Sequence, residues 1–282
     1  MKQLILLSLI CIFLYSKPLV SVSIAPQAFF VEKIANDTVN VNILLPQNVD
    51  EHTFEFKPNT LKQLEKSDIY FTVGLEFEKI FNDKFHRNFP KLRFVNSQEN
   101  ISLVAIKDTH SHKEDKDEKH TNLDIHTWLD PILVQTMAMN IFKALAQQYP
   151  EHKAFYETNL NTFLAELDSL NLQIASKLRT IKNRKFIVYH PSWGYFASRY
   201  NLEQIPVEIE GKEPKLKDLQ ELIQEAKEEN VKVIFVQPGF PENAVKVLSK
   251  ELDAHIVQIN HLARAWESEL LKSVDQLATN LQ

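Results

Sequence analysis

Three histidines stand where a chain of alternating strands and helices builds binding sites. His52 lies in DEHTFEFKP, shortly after a β-branched run. His126 lies in DIHTWLDP, just ahead of a helix start, and His190 lies in FIVYHPSWGYF, at the end of a strand pattern. Each belongs to a strand-to-helix connection or a helix entrance, the edge of an open α/β sheet where ligands bind. A single histidine of this kind is more often a surface or packing residue. Three at equivalent positions point to one centre. Neutral imidazole is the commonest zinc ligand, with Zn–N near about 2.0–2.1 Å, and three nitrogens plus an oxygen suit zinc better than manganese. Affinity at such a centre falls as the imidazoles protonate, as pH drops through about 6.5.

A second group of histidines has a different character. Residues 107–124 read KDTHSHKEDKDEKHTNLD, with His110, His112 and His120 set among six carboxylates and no apolar residue before Leu123. A segment without apolar side chains cannot pack a core and belongs on the surface. Histidine alternating with Asp and Glu is a metal-collecting composition, so weak additional metal binding is expected there. His86, His152 and His255 lie on helical or strand patterns without a ligand context and are read as structural.

The elements that must position these residues follow from periodicity. Residues 20–26 (VSVSIAP), 39–45 (VNVNILL), 69–73 and 92–95 read as strands, with helical character at 29–34 and 60–66. A helix is expected over 131–149, where Asp130 can cap it and Pro131 occupies the first turn at no hydrogen-bond cost. From 151 to 182 there is no Pro, Gly or strand signal. Leu160, Phe163, Leu164, Leu167, Leu170, Ile174, Leu178 and Ile181 fall at steps of three and four, which makes one apolar helical stripe roughly 45 Å long. Strands then resume at 186–189, 231–236 and 255–259, with helices at 216–229 and 242–252 between them. The expected fold class is α/β: two lobes, each a parallel-type sheet flanked by helices, joined by one long rigid helix. The corresponding organisation is a signal peptide at 1–19, an N-terminal lobe at 20–149 carrying the His-rich loop 107–124, a linking helix at 150–182, and a C-terminal lobe at 183–282.

Composition narrows the function. The 282 residues carry 32 basic and 37 acidic side chains, a formal charge of −5, which argues against binding nucleic acid through its backbone. Four scattered glycines leave no phosphate-cradling or dinucleotide loop. Residues 4–15 form a mostly apolar run after Lys2, too short to span a bilayer and fitting the core of an export signal. Cys11, the one cysteine, is preceded directly by Ile10 where a lipidation signal wants a small residue, so a soluble exported protein is favoured over a lipoprotein. A mature chain without cysteine must bind metal through His, Asp and Glu. His-Glu-x-x-His and Gly-x-Ser-x-Gly are both absent, which removes the motif basis for a zinc hydrolase.

These segments together resemble the zinc-binding branch of the periplasmic solute-binding proteins of ABC transporters, the cluster A-I metal-binding group. The resemblance rests on the first strand ending in Ala25-Pro26, on EHTFEFKPNTLKQLEKSDIYFTVG, on DIHTWLDP directly after an acidic His-rich loop, on HPSWGYFASRY and on VKVIFVQPGF. It implies two α/β lobes with a backbone helix, and ligation by His52, His126 and His190. It further implies that Glu51, paired with His52 as in zinc-specific members, approaches the metal. The expected function is high-affinity binding of one zinc ion in the periplasm and its delivery to a membrane permease, by a monomer that is not an enzyme. A manganese carrier or a metal-binding adhesin on the same scaffold is the alternative. One departure concerns the fourth ligand. Where many members have Leu-Asp-Pro-Leu near the C-terminus, this chain has Ile259-Asn260-His261-Leu262. Glu51 or water is the first expectation there, then His261, then Asn260.

Overall fold

The structure is a computed structural model, and it describes residues 16–51, 54, 58–106, 123–209 and 211–282. The N-terminal lobe runs β1 (Leu19–Val22), α1 (Ala25–Ala35), β2 (Asn40–Ile43), α2 (Pro58–Glu65), β3 (Ile69–Thr72), α3 (Glu76–Asn88), β4 (Arg93–Asn96) and α4 (Pro131–Gln148). Helix α5 (Lys153–Leu178) follows. The C-terminal lobe runs β5 (Lys185–Val188), α6 (Gly194–Arg199), β6 (Glu203–Pro206), α7 (Leu216–Glu228), β7 (Val233–Val236), α8 (Asn243–Leu252), β8 (His255–Gln258) and α9 (Trp266–Asn280).

Each lobe holds a four-stranded, all-parallel sheet, ordered β2-β1-β3-β4 in the first and β6-β5-β7-β8 in the second. The two orders are the same when read from the first strand of each lobe. The first crossover goes one way, and the chain then returns to build the sheet on the other side. That reversal opens a crevice beyond the carboxyl ends of β1 and β3, and of β5 and β7, where such sheets bind ligands. Among the described residues, no helix is long and apolar enough to cross a membrane.

The expected α/β class and long joining helix are observed, with several differences in detail. Strand β1 stops at Val22, and α1 begins at Ala25 with Pro26 in its first turn. The side chain of Gln27 accepts the Ser23 and Ile24 amides and so starts this helix locally. Helix α5 has 26 residues, about 39 Å at 1.5 Å each, rather than the longer span expected to Lys182. Beyond it, the amides of Lys182 and Asn183 both donate to Leu281 O at the end of α9. These tertiary hydrogen bonds replace the helical ones. Helices α3, α6 and α9 and strand β6 lie in stretches where periodicity assigns no element. The expected export signal falls mainly on residues 1–15, outside the described residues, as do 107–122 of the His-rich loop.

Helix α5 joins the lobes by packing rather than by standing between them. Its stripe of Tyr156, Leu160, Phe163, Leu167, Leu170, Ile174 and Leu178 is buried. It belongs to one continuous apolar cluster that contains Val20, Phe30 and Phe71 of the first lobe together with Phe186, Phe235 and Trp266 of the second. Two smaller clusters fill the outer faces of the sheets, under α2 and α3 and under α7 and α8.

A polar tie also crosses the lobe boundary. Asp130 caps α4 by accepting the Ile132 amide at 2.9 Å, and both its carboxylate oxygens accept from Arg199 Nε on α6, at 2.7 and 2.8 Å. Asp130 is buried and Arg199 partly exposed. Losing an N-cap costs about 1 kcal/mol, and losing a charged hydrogen bond costs about 1.5–3 kcal/mol, less where one partner meets solvent. Asp130→Ala is therefore expected to destabilise the fold by roughly 2–3 kcal/mol in denaturant unfolding. Asp130→Asn, which keeps the cap, should recover about 1 kcal/mol of that. Equal stability of the two variants would show that the cap contributes nothing.

Candidate metal centre

Four ionisable side chains from four separate connections converge where the two crevices face each other. Glu51 follows β2, His126 precedes α4, His190 follows β5 and His261 follows β8. All four are buried, none more than 2% exposed.

Local chemistry sets each one in place. His190 follows the strand at the reversal of the second sheet, and Gln237, just past β7, brackets its backbone. Gln237 Oε1 accepts the His190 amide at 3.2 Å, and Gln237 Nε2 donates to its carbonyl at 2.6 Å. His126 is held from the end of β4, where Gln98 Nε2 donates to Ile125 O and Thr127 Oγ1 on either side of it. The backbone at His261 is fixed across the seam, because Trp128 Nε1 of the first lobe donates to His261 O at 2.8 Å. In return, Trp266 Nε1 donates to Trp128 O at 2.7 Å. The loop that delivers Glu51 presses against Gly239 of the other lobe. A Cβ at Gly239 would come within 2.8 Å of Asn48 O, and its φ of +94° is one that glycine alone adopts freely.

The donor atoms have the spacing of a metal site. His126 Nε2 lies 3.0 Å from His190 Nε2, and Glu51 Oε1 lies 3.4 Å from His190 Nε2 and 3.7 Å from His126 Nε2. A tetrahedron with bonds of about 2.05 Å has edges of about 3.3 Å, which these three distances bracket. His261 Nε2 is 2.9 Å from the same Glu51 oxygen. Glu51 Oε2 and His261 Nδ1 have no hydrogen-bond partner among the described residues. Orphaned buried polar atoms beside closely spaced nitrogens are the mark of a place for a cation. Trp128 and Phe240 wall the centre, the latter stacked on His190 at 5.0 Å.

The electrostatics agree. Burial works against charge on Glu51, but His261, His126 and His190 outweigh it and hold its carboxyl well below the usual range. Burial likewise opposes charge on His126. The hydrogen-bonded carboxylates of Asp124 and Glu51 overcome it and push the His126 pKa up to about 9. Two imidazole Nε2 atoms 3.0 Å apart must have a hydrogen between them, from an Nε2–H tautomer or an imidazolium, or else share a cation.

Of the residues singled out in the sequence, the structure brings Glu51, His126 and His190 together, and these form the one group of three or more His, Cys, Asp or Glu side chains with converging ligand atoms among the described residues. His52 lies outside the described residues. Asn260 turns away, its side-chain oxygen accepting the Leu262 amide at 3.0 Å, while its neighbour His261 faces the centre. Asp124, the first residue of DIHTWLDP, and Glu208, the first of EIEGKEP, lie behind the two histidine rings, and their residue types and spacing alone assign neither of them a role at the site.

Comparison with known proteins gives a consistent picture. The family described as "Zinc-uptake complex component A periplasmic" matches residues 20–282. The high-affinity zinc uptake system protein ZnuA of Bacillus subtilis (strain 168) is 27% identical over 274 residues, covering 91% of this chain and 83% of that protein. A crystal structure of ZnuA superposes with a TM-score of 0.87 at 36% identity, covering 95% of this chain and all of that one. A ZnuA deletion mutant with zinc bound superposes with a TM-score of 0.86, also at 36% identity, covering 95% of this chain and 99% of its own. This chain therefore belongs to the family of periplasmic component A of zinc-uptake complexes.

Proposed function

We propose that this protein binds one zinc ion at the seam between its lobes, outside the cytoplasmic membrane, and hands it to the permease of an ABC-type uptake system. The observation that carries the reading is the convergence of His126, His190 and Glu51, from both lobes, at tetrahedral donor spacing. His126 and His190 each supply Nε2, and Glu51 supplies a carboxylate oxygen that offsets charge on the ion. His52, adjacent to Glu51 in the chain, is a further expected ligand. His261 is the alternative to Glu51 as the fourth donor and is better placed than Asn260, which spends its carbonyl on the turn. A nitrogen-rich donor set favours zinc over manganese. The family supplies a transporter's binding component and is not a family of enzymes, so the bound ion is cargo. Release to the permease and a monomeric state complete the proposal.

Removing one strong ligand should weaken zinc binding by at least two orders of magnitude, roughly 3 kcal/mol. In chelator competition, His126→Ala and His190→Ala should each show this loss, and Asn260→Ala should match wild type. Of Glu51→Gln and His261→Ala, the variant with the larger loss identifies the fourth donor. Wild-type affinity in both His126→Ala and His190→Ala would remove the centre from the seam.

Proton competition gives a second test. His126 holds its proton until pH reaches about 9 in the metal-free pocket, and zinc must displace it. Affinity should therefore rise with pH across 6 to 8, by about tenfold per pH unit for each proton released. This window lies above the one that an ordinary imidazole near 6.5 gives. The check is zinc competition at each pH with proton release followed by calorimetry in two buffers. A pH-independent affinity over that range would contradict capture by these imidazoles.

A further inference from the structure

Both histidine rings at the centre are held from behind by a carboxylate. His126 Nδ1 lies 2.7 Å from Asp124 Oδ1, and His190 Nδ1 lies 2.6 Å from Glu208 Oε1. Asp124 and Glu208 are buried, one in each lobe. Neither placement is incidental. In the second lobe β5 and β6 run in parallel register, with Val188 opposite Pro206. Two further residues along each chain bring His190 level with Glu208, and the Glu208 amide donates to Tyr189 O at 3.1 Å. In the first lobe, Asp124 Oδ1 also accepts the His126 amide at 2.9 Å, so one carboxylate clamps both backbone and ring of the same residue. The opposite lobe leaves room for it: a Cβ on Gly194 would come within 2.5 Å of Asp124 Oδ2.

An ionised carboxylate can only accept, so the facing ring nitrogen must carry the hydrogen. We propose that Asp124 and Glu208 are a matched pair of positioning residues, one per lobe, that fix His126 and His190 with hydrogen on Nδ1 and the Nε2 lone pair turned toward zinc. The inference rests on the zinc centre proposed above. Without such a partner, a neutral imidazole divides between two tautomers and rotates broadly about its terminal torsion. With it, each ring meets the ion already oriented, and the negative charge behind it raises its basicity toward the metal.

The test uses the whole chain, metal-free and labelled with ¹⁵N at histidine, with zinc added alone. Long-range proton–nitrogen correlation reports which ring nitrogen binds the ion and which carries hydrogen, and chelator competition reports affinity. Wild type should show both rings bound through Nε2 with Nδ1 protonated. Asp124→Asn and Glu208→Gln keep an acceptor oxygen but lose its charge. Each should weaken zinc binding about 10- to 100-fold while retaining one ion per chain and the Nδ1–H signal. Glu208→Leu removes the acceptor and should lose more affinity, with the His190 ring no longer confined to one tautomer. If one lobe's variants fail to fold, the other lobe's pair carries the test. Zinc bound through Nδ1 in wild type, or wild-type affinity and unchanged ring signals in the variants, would overturn the pairing and leave the zinc centre standing. Failure of wild type to bind zinc would overturn both.

Discussion

Charge taken out of water must be paired, and the lobe seam is organised around that requirement. Glu51, Asp124 and Glu208 are all buried there, and an unpaired carboxylate at such a depth would cost several kcal/mol. Each faces an imidazole: Glu51 faces His261 and the Nε2 edge of the two central rings, Asp124 backs His126 and Glu208 backs His190. Asp124 and Glu208 meet their partners within their own lobes, but the nearest imidazoles to Glu51 of the first lobe are His261 and His190 of the second, at 2.9 and 3.4 Å, so that buried charge is paired across the seam. The polar centre therefore pulls the two crevices together, and the matching strand orders put the carboxyl ends of both sheets where they can meet.

Packing makes that meeting definite. The reciprocal indole bonds between Trp128 and the segment 261–266 hold the turn that carries His261 at a set distance from His126. Phe29, Phe30, Phe163 and Trp266 form one aromatic group across α1, α5 and α9, with ring centroids 5.1 to 6.2 Å apart. Backbone-to-backbone approach at Gly239 leaves the Glu51 loop no slack toward the second lobe. Protein interiors packed this closely do not deform continuously. Side chains fixed in this way suit the tetrahedral spacing of the proposed centre better than the larger, oxygen-rich shells of harder ions.

Much of this was legible in the chain. His126 and His190 stand out because strand and helix boundaries can be read on either side of them, and a sheet's ligand edge follows from topology. The apolar stripe of α5 is legible because seven buried positions repeat at helical spacing. Other features depend on contacts distant in sequence. Strand β6, EQIP, is four residues long and holds two polar side chains, so only its pairing with β5 makes it a strand. The choice between Asn260 and His261 turns on a local hydrogen bond, the Asn260 side chain to the Leu262 amide, which swings the neighbouring ring inward. Glu208 reads as one acid in an acidic stretch until the parallel register sets it beside His190.

The position of α9 has a consequence for how the protein acquires its fold. Trp266, Leu270, Val274 and Leu277 complete the apolar cluster that begins with Val20 and Phe30, so the last helix finishes a core that the first strand starts. Helices α1, α4 and α5 pack on one another, and α9 covers the part of that shared face that Trp266, Leu270, Val274 and Leu277 touch. Contacts of such long sequence separation form late, since loop-closure entropy must be met before they yield any stabilisation. The shared cluster thus closes fully only when α9 packs, which ties the stability of the first lobe to a helix far along the chain.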